Sequence, residues 1–187
     1  MKLAVLVSGS GTILEAIYAS GVEVSLVLSD RPCRALDVAR SNSTEALLLE
    51  RTLWNEDFDR EGYTVRLVSE LLSRGIDVVA MAGFGTVLSE AIHSAYKGRV
   101  LNTHPSLLPS FPGWHAVKMA LDYGVKLTGC TVHLATLEVD SGPIIAQEAV
   151  PVFPDDTEAS LHERIKAVER VLYPKAILKF IEDISKD

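Results

Sequence analysis

Apolar and polar positions along this chain alternate between unbroken hydrophobic runs and helix-spaced stripes. Leu3 to Val7 is a continuous apolar run, the pattern of a strand buried on both faces of a parallel sheet. Thr12 to Ser20 carries apolar residues at helical spacing and stops at Gly21. Val22 to Leu28 is β-branched and reads as a strand, Arg34 to Ser41 as a short helix and Glu45 to Glu50 as a third strand. Asp59 to Arg74 has apolar residues at 65, 67, 68, 71 and 72, a helical stripe closed by Gly75. The segment IDVVAMAGF then predicts a strand entering a glycine turn, Ser89 to Tyr96 a short helix and Arg99 to Thr103 the next strand.

Strands alternating with helices predict an α/β fold with a mostly parallel, twisted sheet and flanking helices. After Gly113 the pattern changes. A helix over Ala116 to Tyr123 precedes two strand-like runs, Cys130 to Leu137 and Ile144 to Val152, which predict an antiparallel pair added to the sheet. A long C-terminal helix follows, with Asp155 as its N-cap and Glu158 at the capping-box position, and Pro174 is expected to break or kink it. No repeat or linker divides the chain, so residues 1–187 read as a single domain. Its first half, about 1–100, carries a phosphate-binding pattern. The second, about 101–187, carries a proline-rich loop, the added strands and the last helix.

A 48% hydrophobic content fits a compact core, and a net charge of −7 argues against a large nucleic-acid footprint. Cys33 and Cys130 form no C-x-x-C, and the five apolar residues after Lys2 are too few for a signal segment or a membrane span. These features predict a cytoplasmic protein of small-molecule partners, with no nucleic acid and no membrane. His93, His115, His133 and His162 are scattered through different elements without metal-ligand spacing, so no metal is expected.

Three stretches carry candidate chemistry. VLVSGSGTIL, residues 5 to 14, is a strand, a Gly-Ser-Gly turn and a helix start, where backbone amides can hold a phosphate. As a dinucleotide fingerprint it is incomplete, because Leu14 stands where a third small residue belongs. Asp30 does stand at the end of the second strand, where a ribose-binding acid would be. In LNTHPSLLPSFPG, Asn102 and His104 lie two apart at a strand end, so in extended chain both face the same way. The loop behind them is stiffened by Pro105, Pro109 and Pro112, and an amide beside an imidazolium suits a developing oxyanion. In EVDSGPI, Asp140 sits in an ordinary turn; folded back on His104, its carboxylate would favour the protonated ring and orient it. Lys166 and Glu169 share a helix face and, taken alone, read as a surface ion pair.

NTHPSLLPSFPG together with DSGPI resembles the folate-dependent formyltransferases, and SGSGTIL with GPIIAQEAVPVF is most similar to the branch that formylates glycinamide ribonucleotide. The resemblance covers essentially the whole chain. It implies a Rossmann-like formyltransferase fold and an enzyme, monomer or homodimer, that uses 10-formyltetrahydrofolate as co-substrate and no metal. It implies a catalytic set of Asn102, His104 and Asp140. The ribonucleotide would meet Gly11, Thr12 and Ile13 through their amides, the Pro105 carbonyl, Lys166 and Glu169. The folate would meet Arg60, Gly85, Thr86, Val87 and Leu88, with Asn102 and the turn ending at Asp140. Two departures stand out. Thr12-Ile13 replaces a Ser-Asn common in the family, and Gly85-Thr86 replaces a Met-Arg whose arginine would face the folate tail, leaving Arg60 with more of that work.

Other readings of the same residues are a formyltetrahydrofolate hydrolase and a formyltransferase acting on a sugar amine or aminoacyl-tRNA. A non-catalytic NAD-binding module would account for the Gly-Ser-Gly turn and Asp30, and would leave Asn102, His104 and the proline loop without a role.

Overall fold

The computed structural model describes residues 1–186. One seven-stranded sheet runs in the order β3-β2-β1-β4-β5-β6-β7. Its strands are β1 (Leu3–Val7), β2 (Leu26–Ser29), β3 (Glu45–Leu48), β4 (Val78–Met81), β5 (Val100–His104), β6 (Leu127–Leu134) and β7 (Ile144–Pro151). The first five pair in parallel, whereas β6 and β7 join antiparallel. All five residues of β1 are buried, as their unbroken apolar run requires. Helices α1 (Thr12–Ala19), α2 (Arg34–Ser41), α3 (Arg60–Ser73), α4 (Glu90–Ala95), α5 (Ala116–Tyr123) and α6 (Glu158–Ile184) complete the fold.

Helices on both faces bury two apolar layers. One face joins Val5 and Val27 to Leu14, Tyr173 and Ile177. The other joins Leu6 and Leu28 to Leu67, Leu71 and Ile92. The order of strands reverses on either side of β1, between β2 and β4, and the segments leaving β1 and β4 flank a crevice beyond their carboxyl ends.

Local details differ from the sequence reading. β2 starts at Leu26 rather than Val22, and β6 starts at Leu127 rather than Cys130. The N-cap of α6 is Thr157, not Asp155, and its reciprocal partner is Ser160, not Glu158. Asp156 explains the shift. Its carboxylate accepts from the Phe153 amide at 2.7 Å and pairs with Arg164 at 2.7 and 2.8 Å, which fixes the chain before the helix can begin. Pro174 does not end α6, which continues to Ile184. The ring lacks only the N–H that would bond to the Arg170 carbonyl, and it is buried. Its neighbour Tyr173 anchors the helix instead: the phenol O–H lies 3.0 Å from the Met81 carbonyl and 3.1 Å from that of Leu101, at the ends of β4 and β5.

Candidate active site

A cavity of about 700 Å³ lies across the carboxyl ends of β1, β4 and β5. At one end stand Gly9 to Ile13 and Lys166, and the Gly83 to Leu88 segment and Val139 line another wall. Asn102, His104 and Asp140 also line it.

Gly11 shows why the first loop needs glycine. Its φ is +79°, and a Cβ there would stand 2.9 Å from the Ala35 Cα. The loop is tied from outside by Arg34, whose guanidinium donates to the Ser10 carbonyl at 2.6 Å. That leaves α1 opening onto the cavity with its first amides free of any side-chain cap.

The strand end at β5 brings Asn102 and His104 to one place. His104 is buried at 5% exposure, its Nδ1 3.3 Å from Asp140 Oδ2 and its Nε2 2.8 Å from the Phe111 carbonyl. A carbonyl can only accept, so Nε2 carries a proton, and Nδ1 faces the carboxylate. Asp140 adopts φ +57° in its turn and also accepts from the Gly113 amide at 2.8 Å, which binds the turn to the end of the proline loop. Burial alone would raise the Asp140 carboxyl. The Gly113 amide, which donates to it, and the neighbouring histidines outweigh burial and hold it below its ordinary value.

His133 is the residue that sequence reasoning missed. It sits directly across the ladder from Asn102, beside a bulge between Val132 and His133. Its Nδ1 donates to the Leu134 carbonyl at 2.9 Å, which leaves Nε2 to accept from the Asn102 amide nitrogen at 3.3 Å. Asp140 Oδ1 lies 3.6 Å from the same Nε2. The signal was present only in the strand alternation, where histidine breaks an apolar run. His93 and His162 also line the cavity, so three of the four histidines that looked scattered converge here.

The proline loop is held by two more residues without a sequence signature. Thr131 Oγ1 donates to the Ser106 carbonyl at 2.7 Å and accepts from the Leu108 amide at 3.1 Å. Gln147 reaches the Leu108 carbonyl and Thr131 Oγ1, both at 2.9 Å. The antiparallel strands thus pin the loop that carries Pro105.

The remaining expected residues divide. Thr12, Pro105, Lys166, Glu169, Gly85, Thr86, Val87 and Leu88 all line the cavity. Lys166 and Glu169 do not form the surface ion pair that their spacing suggested. Glu169 turns inward to Thr103; burial pushes its carboxyl up, while the Thr103 hydroxyl and the charges of Lys166 and Arg170 pull it down. Arg60 is exposed at the first turn of α3, outside the residues that line the cavity. Asp30 is fully buried and committed to Thr86 Oγ1 at 2.8 Å and Arg31 Nε at 3.1 Å. Among the described residues, no group of three or more His, Cys, Asp or Glu side chains is placed to hold a metal ion.

An amide, an imidazole and a carboxylate converging at a strand end can stabilise an oxyanion and relay a proton. Comparison with known proteins agrees. Residues 1–177 match the formyl transferase family. A phosphoribosylglycinamide formyltransferase of Mycobacterium tuberculosis is 41% identical over 94% of this chain and 83% of its own length. Its Escherichia coli counterpart is 38% identical over 97% and 88%. The crystal structure of glycinamide ribonucleotide transformylase 1 from Symbiobacterium toebii superimposes with a TM-score of 0.90 at 40% identity, covering 98% of this chain and 88% of that one. A shared fold, a match over nearly the whole length and the convergent site lead to one assignment: the chain belongs to the formyl transferase family, and it is an enzyme.

Proposed function

We propose that this enzyme transfers the formyl group of 10-formyltetrahydrofolate to the amine of glycinamide ribonucleotide, a step of purine biosynthesis in the cytoplasm. The observation that carries the reading is the meeting of Asn102, His104 and Asp140 on one cavity, with an anion-binding end beside them.

In this reading the ribonucleotide phosphate takes the amides of Gly11, Thr12 and Ile13 and the Lys166 ammonium, with Glu169 on the ribose hydroxyls and the Pro105 carbonyl on the amine. The folate ring lies along Gly85 to Leu88. The amine nitrogen attacks the formyl carbon, and the carbonyl oxygen becomes an oxyanion. One N–H of the Asn102 amide is spent on His133; the other serves the oxyanion. Both His104 nitrogens are engaged, on Asp140 and on the Phe111 carbonyl. A direct N–H from His104 to the oxyanion requires Nε2 to leave the Phe111 carbonyl or Nδ1 to leave Asp140. The attacking nitrogen then loses a proton, the folate nitrogen gains one through water held by Asp140, and the bond from carbon to folate nitrogen breaks.

The anion-binding end favours a ribonucleotide acceptor over water, and so a transferase over a hydrolase. An NAD-binding module is disfavoured because Asp30 is buried on Thr86 and Arg31. The reading is tested by His104→Ala, which is expected to lower kcat by at least about 10²-fold while calorimetry still detects both ligands. Normal turnover in that variant would overturn it.

A further inference from the structure

Outside the cavity wall at Gly85 lies a cluster for which the chemistry above has no use. The Arg31 guanidinium stacks over the Trp54 ring at 3.8 Å from its centroid. Arg51 lies over the same ring at 4.2 Å and over Phe58 at 3.8 Å. Trp54 is 48% exposed. A tryptophan held at the surface under two guanidiniums, in a chain of net charge −7, is not there to fill a core.

The cluster is built into the cavity rim. Asp30, buried at the end of β2, takes the Thr86 hydroxyl on one side and Arg31 Nε on the other. This aims the Arg31 head across Gly85, where a Cβ would stand 2.5 Å from Nη2. Only glycine permits that approach. The Gly85-Thr86 sequence is therefore coupled to Asp30-Arg31: glycine makes room for the arginine, and threonine holds the acid that aims it. Arg51 spends its Nε on the Leu53 carbonyl at 2.8 Å, and no ion pair engages it among the described residues. Two acids of the same loop are occupied elsewhere. Asp57 takes the Asn55 amide, and Asp59 caps α3 at the Gly62 amide.

A folate donor carries carboxylates on the glutamate that ends it, and these need cations. Lys166 stands on the cavity with the Gly11 loop, where the ribonucleotide phosphate binds in the reading above. The guanidinium that lies against the Gly85 wall is Arg31, with Arg51 across the Trp54 ring.

We propose that Arg31 and Arg51, presented by Trp54, form a carboxylate clamp for the glutamate tail of the folate donor, and that it selects donors carrying several glutamates. This assignment rests on the proposed function. Flat guanidiniums suit carboxylates, and each further glutamate adds an acid within reach of a half-buried pair at the rim. The clamp supplies, from the segments after β2 and β3, a charge that the family resemblance left to Arg60.

The test compares KM for three donors under saturating ribonucleotide: 10-formyltetrahydropteroate, which has no tail, and the mono- and triglutamate of 10-formyltetrahydrofolate. The wild-type protein is expected to favour the triglutamate over the tail-free donor by roughly tenfold or more. In Arg31→Ala/Arg51→Ala that ratio is expected to collapse toward one, and in Trp54→Leu to fall with it. A ratio near one in the wild-type protein, or an unchanged ratio in the variants, would overturn the clamp. If the wild-type chain does not formylate the ribonucleotide at all, the proposed function fails instead. Calorimetric titration with pteroyltriglutamate and pteroate then decides the clamp separately, by whether the double variant loses the difference between them.

Discussion

His133 faces Asn102 across the β5–β6 ladder, with its Nε2 3.3 Å from the amide nitrogen, whose second N–H serves the oxyanion in the proposed function. The Leu134 carbonyl fixes the tautomer that makes Nε2 an acceptor. Asn102 therefore cannot exchange its nitrogen and oxygen without losing this bond. His133 acts as a positioning residue.

Replacing it should separate rate from binding. His133→Leu frees the Asn102 amide to turn and is expected to lower kcat by about tenfold or more, with little change in either KM. His133→Gln, whose carbonyl can accept the same N–H, is expected to recover part of that loss. Steady-state kinetics of both variants checks the point; a rise in KM with kcat intact would mean that His133 contacts substrate instead.

The proline loop depends on Thr131. Its buried hydroxyl meets the Ser106 carbonyl and the Leu108 amide, and accepts from Gln147 on the more exposed side. Thr131→Val keeps the shape and strands those partners, so it is expected to cost about 1–3 kcal/mol. At this chain length that is a melting temperature lower by roughly 2–4 °C for each kcal/mol. Scanning calorimetry reads it, and an unchanged transition would show that the loop is held by its prolines alone.

Asp140 makes the fold sensitive to acid. Its carboxyl is held below the ordinary 3.8 because, against the cost of burial, the Gly113 amide bonds to the ionised form and the neighbouring histidines favour it. A depressed folded-state value means stability that is present above the ordinary value and lost as pH falls through the lower one. The gap in unfolding free energy between the wild-type protein and Asp140→Asn is thus expected to be constant near neutrality and to narrow below about pH 4. Asparagine tolerates the positive φ of this turn, so the substitution adds no backbone strain. Urea unfolding at a series of pH values measures the gap; one that does not change with pH would contradict the assigned cause.

Much of this was legible in the chain. The unbroken run of β1 and the stripe of α3 announce a parallel sheet with covering helices, because burial on two faces and on one face leave different patterns. Asn102 and His104 were readable as a pair, since a strand end with three following prolines has few structural uses. The contact from Asp140 to His104 was not, because a turn between two strands reveals nothing of what it folds against. His133, Thr131 and Gln147 were hidden for a related reason. Their roles depend on the register of β6 on β5 and of β7 on β6, and antiparallel register is set by packing and by the bulge at Val132 and His133. Arg31 was invisible because its place follows from Asp30, Thr86 and the missing side chain of Gly85, which lie far apart in sequence.

In the proposed function the acceptor is a ribonucleotide amine rather than water. This is tested most directly by following loss of the formyl group from 10-formyltetrahydrofolate by absorbance, with and without glycinamide ribonucleotide. Deformylation only in the presence of the ribonucleotide is the expected result. Equal deformylation without it would contradict the account and make water the acceptor.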